Sequence, residues 1–212
     1  MGRMPPQDVA AIILAAGSST RMGHAKALLP DADGRSFVVR LARAFAQAGV
    51  HHIVVVTGPE SGPIAESLSA GDAAVAPQLV VNPDPARGQL SSVWAGLEAL
   101  RALEPAAVLI VPVDMPLAQP ATIRALLEEW RRSRGAIVRP VVGVRHGHPV
   151  LFDGALFDEL RRAPLDEGAR AVVHAHRADV VDVPVDDEGC LADIDTPEDY
   201  EVLIKGKRIK SQ

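Results

Sequence analysis

The chain has 212 residues, 48% apolar and 23% charged, the balance of a soluble globular fold of one large domain or two small ones at roughly 100–200 residues each. Lys and Arg number 22 against 27 Asp and Glu, a net charge of −5, so a nucleic-acid backbone is not an expected partner. No run of about 18 apolar residues spans a membrane, Met1–Asp8 is too short and polar for a signal peptide, and the single Cys190 excludes a disulfide framework or a Cys-based zinc site, which together point to the cytoplasm.

Val9–Ala15 is nearly all apolar, as a strand covered on both faces would be. Phe37, Val38, Leu41, Ala42 and Phe45 repeat at helical spacing, and Gly49 follows as a stop. His52–Thr57 and Leu79–Asn82 read as the second and third strands, and Ser92–Leu103 as a helix with Val93, Leu97 and Leu100 on one face. Ala107–Val113 is a fourth buried strand, and Pro120 opens a helix whose apolar stripe is Ile123, Leu126, Leu127 and Trp130. Ala136–Val144 and Val180–Val185 are further strands, the first broken by Pro140 and so placed near an edge. A helical pattern follows Gly168, and Thr196, Pro197 and Asp199 announce a last helix with a capping box.

This alternation predicts an α/β fold of three layers, a mostly parallel sheet with helices on both faces. Aromatics are only 3%, so its core must come from Ala, Val, Leu and Ile. No linker or repeat divides the chain. Residues 9–204 are expected to form one domain, with an extension at 1–8 and a basic, frayed tail at 205–212.

Ligands in such sheets sit beyond the carboxyl ends of the strands. The loop after the first strand, Leu14–Lys26, is rich in small residues that let a ligand approach the backbone. In it Arg21 offers a planar fork for phosphate and Lys26 a mobile charge. Its spacing matches neither the P-loop nor the dinucleotide glycine motif, and a flexible loop with solvated charges competes with the functional reading. Asp114 follows the fourth strand directly, where a carboxylate can ligate Mg²⁺ or simply cap a loop. Asp195, before the last helix, is a second acid, and Asp193 lies on the same side if the segment is extended. Helix N-terminal electrostatics would account for both equally well. His146 with His148, and His174 with His176, form two H-x-H pairs; the helical pattern around the second argues against a metal there. No spacing supports a Ser/His/Asp or Cys/His triad, and Cys190 reads as a packing residue.

Leu14–Pro30 resembles the signature loop of nucleotidyltransferases that share the molybdenum-cofactor cytidylyltransferase fold. The resemblance continues in order through Asn82–Leu97, Val113–Pro116, Gly147–Phe152, Gly168–Arg170 and Asp193–Asp199, covering about Ala10 to Leu203. It implies a Rossmann-like nucleotidyltransferase fold and Mg²⁺-dependent transfer of CMP from CTP to the terminal phosphate of molybdopterin, releasing pyrophosphate. It further implies that Leu14, Ala15, Ala16, Gly17, Arg21, Gly23, Lys26, Asn82, Gly88, Ser92 and Asp114 bind the nucleotide. Arg21, Lys26 and Asp114 would be catalytic, Asp114 and Asp195 would hold the metal, and His148, Pro149 and Arg170 would meet the acceptor. Ser92 equally suits a helix N-cap, and Arg170 a solvated helix position. Ala16 stands where the guanylyl branch carries glycine, which favours a pyrimidine; Leu14 departs from the threonine common in the cytidylyl branch. Another phosphorylated acceptor, GTP as donor, or a nucleotide-binding module without turnover are the alternatives. The expected partners are small-molecule substrates, with a molybdoenzyme or its maturation chaperone as the protein partner.

Overall fold

Strand β1 (Val9–Ala15) is buried along its whole length, flanked in parallel by β2 (His52–Thr57) and β4 (Ala107–Pro112), with β3 (Gln78–Val81) beyond β2. The computed structural model describes residues 8–17, 25–71 and 75–208, the side chains of 203–208 excepted. Alternation along β1 divides the core in two. Ala11 and Ile13 face α1 (Phe37–Gln47) and α4 (Pro120–Ser133), packing with Phe37, Phe45, Ile123 and Trp130. Ala10, Ile12 and Leu14 face the other way, toward Leu90 and Leu97 of α3 (Gln89–Ala99), Leu160 of α5 (Phe157–Arg162) and Val172 of α6 (Arg170–Ala175). Both faces of the strand are therefore covered, which is why its sequence is apolar without alternation. The result is the expected three-layer α/β architecture.

The second half of the sheet is mixed. Strand β7 (Val150–Asp153) runs antiparallel to β4 and to β5 (Ile137–Val142), while β8 (Val180–Pro184) is parallel to β5 and β6 (Arg145–His146) antiparallel to it. Pro140 lies near an edge of the sheet as expected, since β5 has β7 and β6 on one side and only the edge strand β8 on the other. The ladder tolerates the proline because it is interrupted there. Strand β7 pairs residues 137–138 and β6 pairs 141–142, leaving Pro140 in the gap, where its carbonyl accepts from Gly147 N at 2.9 Å. The chain between β6 and β7 leaves the ladder as Gly147-His148-Pro149.

Two further boundaries differ from expectation. Helix α3 starts at Gln89 and ends at Ala99, with Gly88 (φ +99°) as its N-cap, so Ser92 lies one turn inside the helix and caps nothing. Helix α2 (Gly62–Ser69), which buries only Ile64, carries too little apolar period to be announced by its sequence.

The last helix, α7 (Pro197–Arg208), begins in the expected reciprocal box. Thr196 Oγ1 accepts from Asp199 N at 3.2 Å, and Asp199 Oδ2 accepts from Thr196 N at 2.9 Å. It continues through residues 205–208, so the first half of the expected frayed tail is helical. Residues 1–7 and 209–212 lie outside the described residues. Tyr200 docks α7, donating its hydroxyl to Pro30 O at 2.9 Å with its ring tilted against Phe37. Among the described residues no helix is long and apolar enough to cross a membrane.

Candidate active site

The parallel strands deliver the site to their carboxyl ends. Val113 N donates to Leu14 O at 3.0 Å, so Asp114 emerges beside the loop that follows β1. The carbonyl of Asp114 accepts from Ile194 N at 2.9 Å, which draws residues 193–195 to it. Asp199, already the capping acid of α7, also accepts from Asp195 N at 3.2 Å. One helix cap and one backbone bond thus bring Asp114, Asp193 and Asp195 together, with a carboxylate oxygen of each within 4.8 Å of the others.

A cation beside such a cluster offsets the repulsion among its carboxylates. Lys26, from the short helical turn Lys26–Leu28, provides one: its Nζ lies 2.5 Å from Asp195 Oδ1 and 3.3 Å from Asp114 Oδ2. The residue is buried. Burial alone would lower its pKa, but the hydrogen bond to Asp195 and the charge of Asp114 outweigh it and hold the ammonium above its ordinary value. Asp193 shifts upward, through burial and the charges of Asp114 and Asp195.

Two cavities meet at these acids. The smaller, about 290 Å³, is lined by Leu14, Ala15, Ala16, Gly17, Lys26, Ser92, Asp114 and Asp195, together with Pro85 and Gln89. The larger, about 750 Å³, shares Leu14, Gln89, Asp114 and Asp195, and adds Gly88, Arg139, His146, His148, Arg170, His174 and Asp193. Such a junction can hold an anionic group from one side against an anionic group from the other, with positive charge between them.

The expected residues are distributed as follows. Leu14, Ala15, Ala16, Gly17, Lys26, Ser92, Asp114 and Asp195 line the smaller cavity, while Gly88, His148 and Arg170 line the larger. Asn82 and Pro149 are buried and line neither. Asn82 instead supports α3, its Nδ2 donating to Ser91 Oγ at 2.8 Å and Ser92 Oγ at 3.0 Å while its Oδ1 accepts from Asp84 N at 3.0 Å. Arg21 and Gly23 fall outside the described residues. His146 faces Asp182 at 3.3 Å and His176 faces Glu159 at 2.7 Å. Among the described residues, the only group of acids and histidines close enough to ligate one ion is the Asp114, Asp193, Asp195 set. Sequence reasoning missed Arg139 and Gln89 and weighed His174 only as a metal ligand; Arg139 is held by Asp182 at 2.7 Å. Arg139 sits mid-strand in β5, where no sequence signal marks it.

His148 forms part of the larger cavity's wall, and its Nδ1 is buried with no hydrogen-bond partner among the described residues. Burial pushes its pKa down; the charge of Asp114 opposes this and that of Arg170 reinforces it, so the imidazole is neutral near pH 7. The loop carrying it is clamped, with His148 N donating to Cys190 O at 2.8 Å. Cys190 is fully buried as expected, its thiol pushed up to about 11 by burial and the charges of Asp187 and Glu188. A Cβ at Gly147 would stand 2.5 Å from Cys190 O and 2.7 Å from its Sγ, so the backbone would have to move. Gly147→Ala is expected to cost about 1–3 kcal/mol, read as a lower thermal midpoint. An unchanged midpoint would show that the His148 loop is not held against Cys190.

The family model for the MobA-like NTP transferase domain matches residues 11–180. The chain is 31% identical to the molybdenum cofactor guanylyltransferase of Xanthomonas euvesicatoria pv. vesicatoria, over 91% of this chain and 93% of that protein. It is 28% identical to the molybdenum cofactor cytidylyltransferase of Escherichia coli, over 89% and 92%. It is also 30% identical to the nicotine blue oxidoreductase of Paenarthrobacter nicotinovorans, over 93% and 97%. Among solved structures, Rv0371c of Mycobacterium tuberculosis aligns with a TM-score of 0.77 at 25% identity, covering 93% of this chain and 98% of that one. With the family model spanning β1 to the start of β8, the chain belongs to the MobA-like NTP transferase family and is a nucleotidyltransferase.

Proposed function

We propose that this enzyme transfers CMP from CTP to the terminal phosphate of molybdopterin and releases pyrophosphate, with Mg²⁺ held by Asp114 and Asp195. The observation that carries this reading is the meeting of two cavities at those two carboxylates. In it, residues 9–204 act as one domain. An all-oxygen donor set suits a hard cation, and the position already seats the Lys26 ammonium, so it favours positive charge. Rv0371c has also been solved in complex with manganese. When bound, Mg²⁺ would neutralise charge on the phosphates at the reacting centre.

The chain's own residues do the rest. The nucleotide lies in the smaller cavity, where the backbone of Ala15, Ala16 and Gly17 comes close to it and Lys26 reaches the phosphates, joined by Arg21 and Gly23 of the same loop. The acceptor occupies the larger cavity beside Arg170 and the neutral His148, with its phosphate directed at the junction. A phosphate is already a competent nucleophile, so no Ser or Cys is needed; positioning and charge suffice.

Relatives named for both bases match with similar identity, so likeness does not choose between CTP and GTP. Ala16 supports CTP, because the residue lines the cavity and a methyl directed into it would crowd a purine more than a pyrimidine. One methyl is worth about 1 kcal/mol, and a clash somewhat more. The wild type should prefer CTP, and Ala16→Gly should narrow that preference about fivefold without reversing it, measured as kcat/KM for each nucleotide. A wild type that uses both equally would remove the cytidylyl assignment. The reading as a whole is tested by pyrophosphate release from CTP and Mg²⁺ across a panel of acceptors. Release only with molybdopterin supports it; release with a sugar phosphate instead moves the acceptor, and no release with any nucleotide would leave a binding module.

A further inference from the structure

We propose that Lys26 is a built-in counter-ion that holds the metal position until a triphosphate arrives, so that metal and nucleotide bind together rather than the metal first. This rests on the reading above, in which the smaller cavity takes a nucleoside triphosphate. Three observations carry it. The Lys26 ammonium is not near the acids in a general sense but bridges the two proposed ligands, 2.5 Å from Asp195 and 3.3 Å from Asp114. The Lys26 side chain is itself buried at 10% exposure, while the Asp114 and Asp195 carboxylates stay 30% and 43% exposed, so the ammonium depends on those carboxylates more than they depend on it. It also lines the nucleotide cavity, on a helical turn fixed by Leu28 N to Ala25 O at 2.9 Å and Leu29 N to Lys26 O at 3.1 Å.

A divalent ion and an ammonium cannot both sit between the same two oxygens. An ion entering alone and bridging those two oxygens must break both ion pairs of Lys26, with no new anion arriving in exchange. An ion entering with a triphosphate displaces it onto phosphate oxygens, within reach of a flexible four-carbon stem. Each ligand thereby removes the obstacle to the other, and by linkage the coupling is reciprocal. The backbone around Lys26 need not move, since only the side chain changes partner.

The test is Mn²⁺ binding without nucleotide, followed by calorimetry and by the electron paramagnetic resonance of the free ion. It is made on the wild type, Lys26→Met and Lys26→Gln, each with and without Asp114→Asn. Without the tethered cation, Mn²⁺ should bind at least tenfold more tightly in either Lys26 variant, and Asp114→Asn should undo the gain. Equal or weaker binding in both Lys26 variants, still sensitive to Asp114→Asn, would overturn the exchange and leave the metal site standing. Tighter binding indifferent to Asp114→Asn would overturn the metal site and the exchange together. No turnover enters the readout, so the choice of nucleotide and acceptor stands or falls separately.

Discussion

Asp114→Asn is expected to lower kcat/KM by at least a thousandfold while the protein melts within a few degrees of the wild type. The change is nearly isosteric, and the backbone carbonyl that holds Ile194 is untouched. The side chain is 30% exposed, so no buried amide is left without water. Loss of one of three clustered carboxylates also relieves repulsion, which works against destabilisation. What is lost is the charge that pairs with Lys26 and that the proposed function assigns to the metal, worth several kcal/mol of transition-state stabilisation at roughly 1.4 kcal/mol per tenfold. Steady-state kinetics and a thermal melt on the same preparation separate the two effects. Wild-type turnover at ordinary Mg²⁺ would remove Asp114 from the chemistry.

The largest stability effect is expected at Arg40 of α1. Arg40→Met should destabilise the protein by about 3–5 kcal/mol, a fall of roughly 10 °C or more in thermal midpoint. The Asp31 side chain is fully buried and accepts from Asp33 N at 2.8 Å, Arg35 N at 3.0 Å and Arg40 Nη1 at 3.0 Å. Arg40 Nε also donates to Pro116 O at 2.9 Å, tying this turn to the loop that carries Asp114. Burial alone would raise the Asp31 carboxyl, but the Arg35 amide and Arg40 outweigh it and hold it below its ordinary value of 3.8. A depressed folded-state pKa contributes stability that is present above the unfolded value and is lost as pH falls through the folded one. The wild type should therefore weaken on acidification from about pH 5 to about pH 3. In Arg40→Met the buried charge has lost its partner, so protonating it becomes favourable and the deficit relative to wild type should shrink over the same range. A deficit independent of pH would mean that packing of the Arg40 stem, rather than its charge, supplies the stability.

Legibility of the fold followed burial. Strands β1 and β2 agree with their sequence runs at both ends, because an uninterrupted apolar stretch covered on two faces has no other good solution. Strands β6 and β7, two and four residues long, carry no period, and their shared break at Gly147-His148-Pro149 leaves the gap that Pro140 occupies. The start of α3 was hidden because Gly88 caps it through backbone conformation, with no side-chain signal, while the serines nearby serve Asn82 instead.

The site was legible where its residues sit at element boundaries. Asp114 lies just beyond a buried strand, Asp195 precedes a well-signalled cap, and the period of two in an extended segment placed Asp193 beside them. The far wall of the larger cavity was not legible, because Arg139 and His174 reach it only through the pairing of β5 and the docking of α6. The pairing of Lys26 with two acids, 88 and 169 residues away in sequence, is likewise a product of tertiary structure alone.

The central claim is that a cytidylyl group crosses the junction between the two cavities. Its most direct test is to incubate the enzyme with Mg²⁺, molybdopterin and CTP labelled at the α-phosphate, and to follow label in the pterin product alongside pyrophosphate. The account predicts label in the pterin in equal amount to the pyrophosphate released, lost in Asp114→Asn and much reduced with labelled GTP. Label that stays in free nucleotide, or that enters the pterin from GTP and not from CTP, would contradict it.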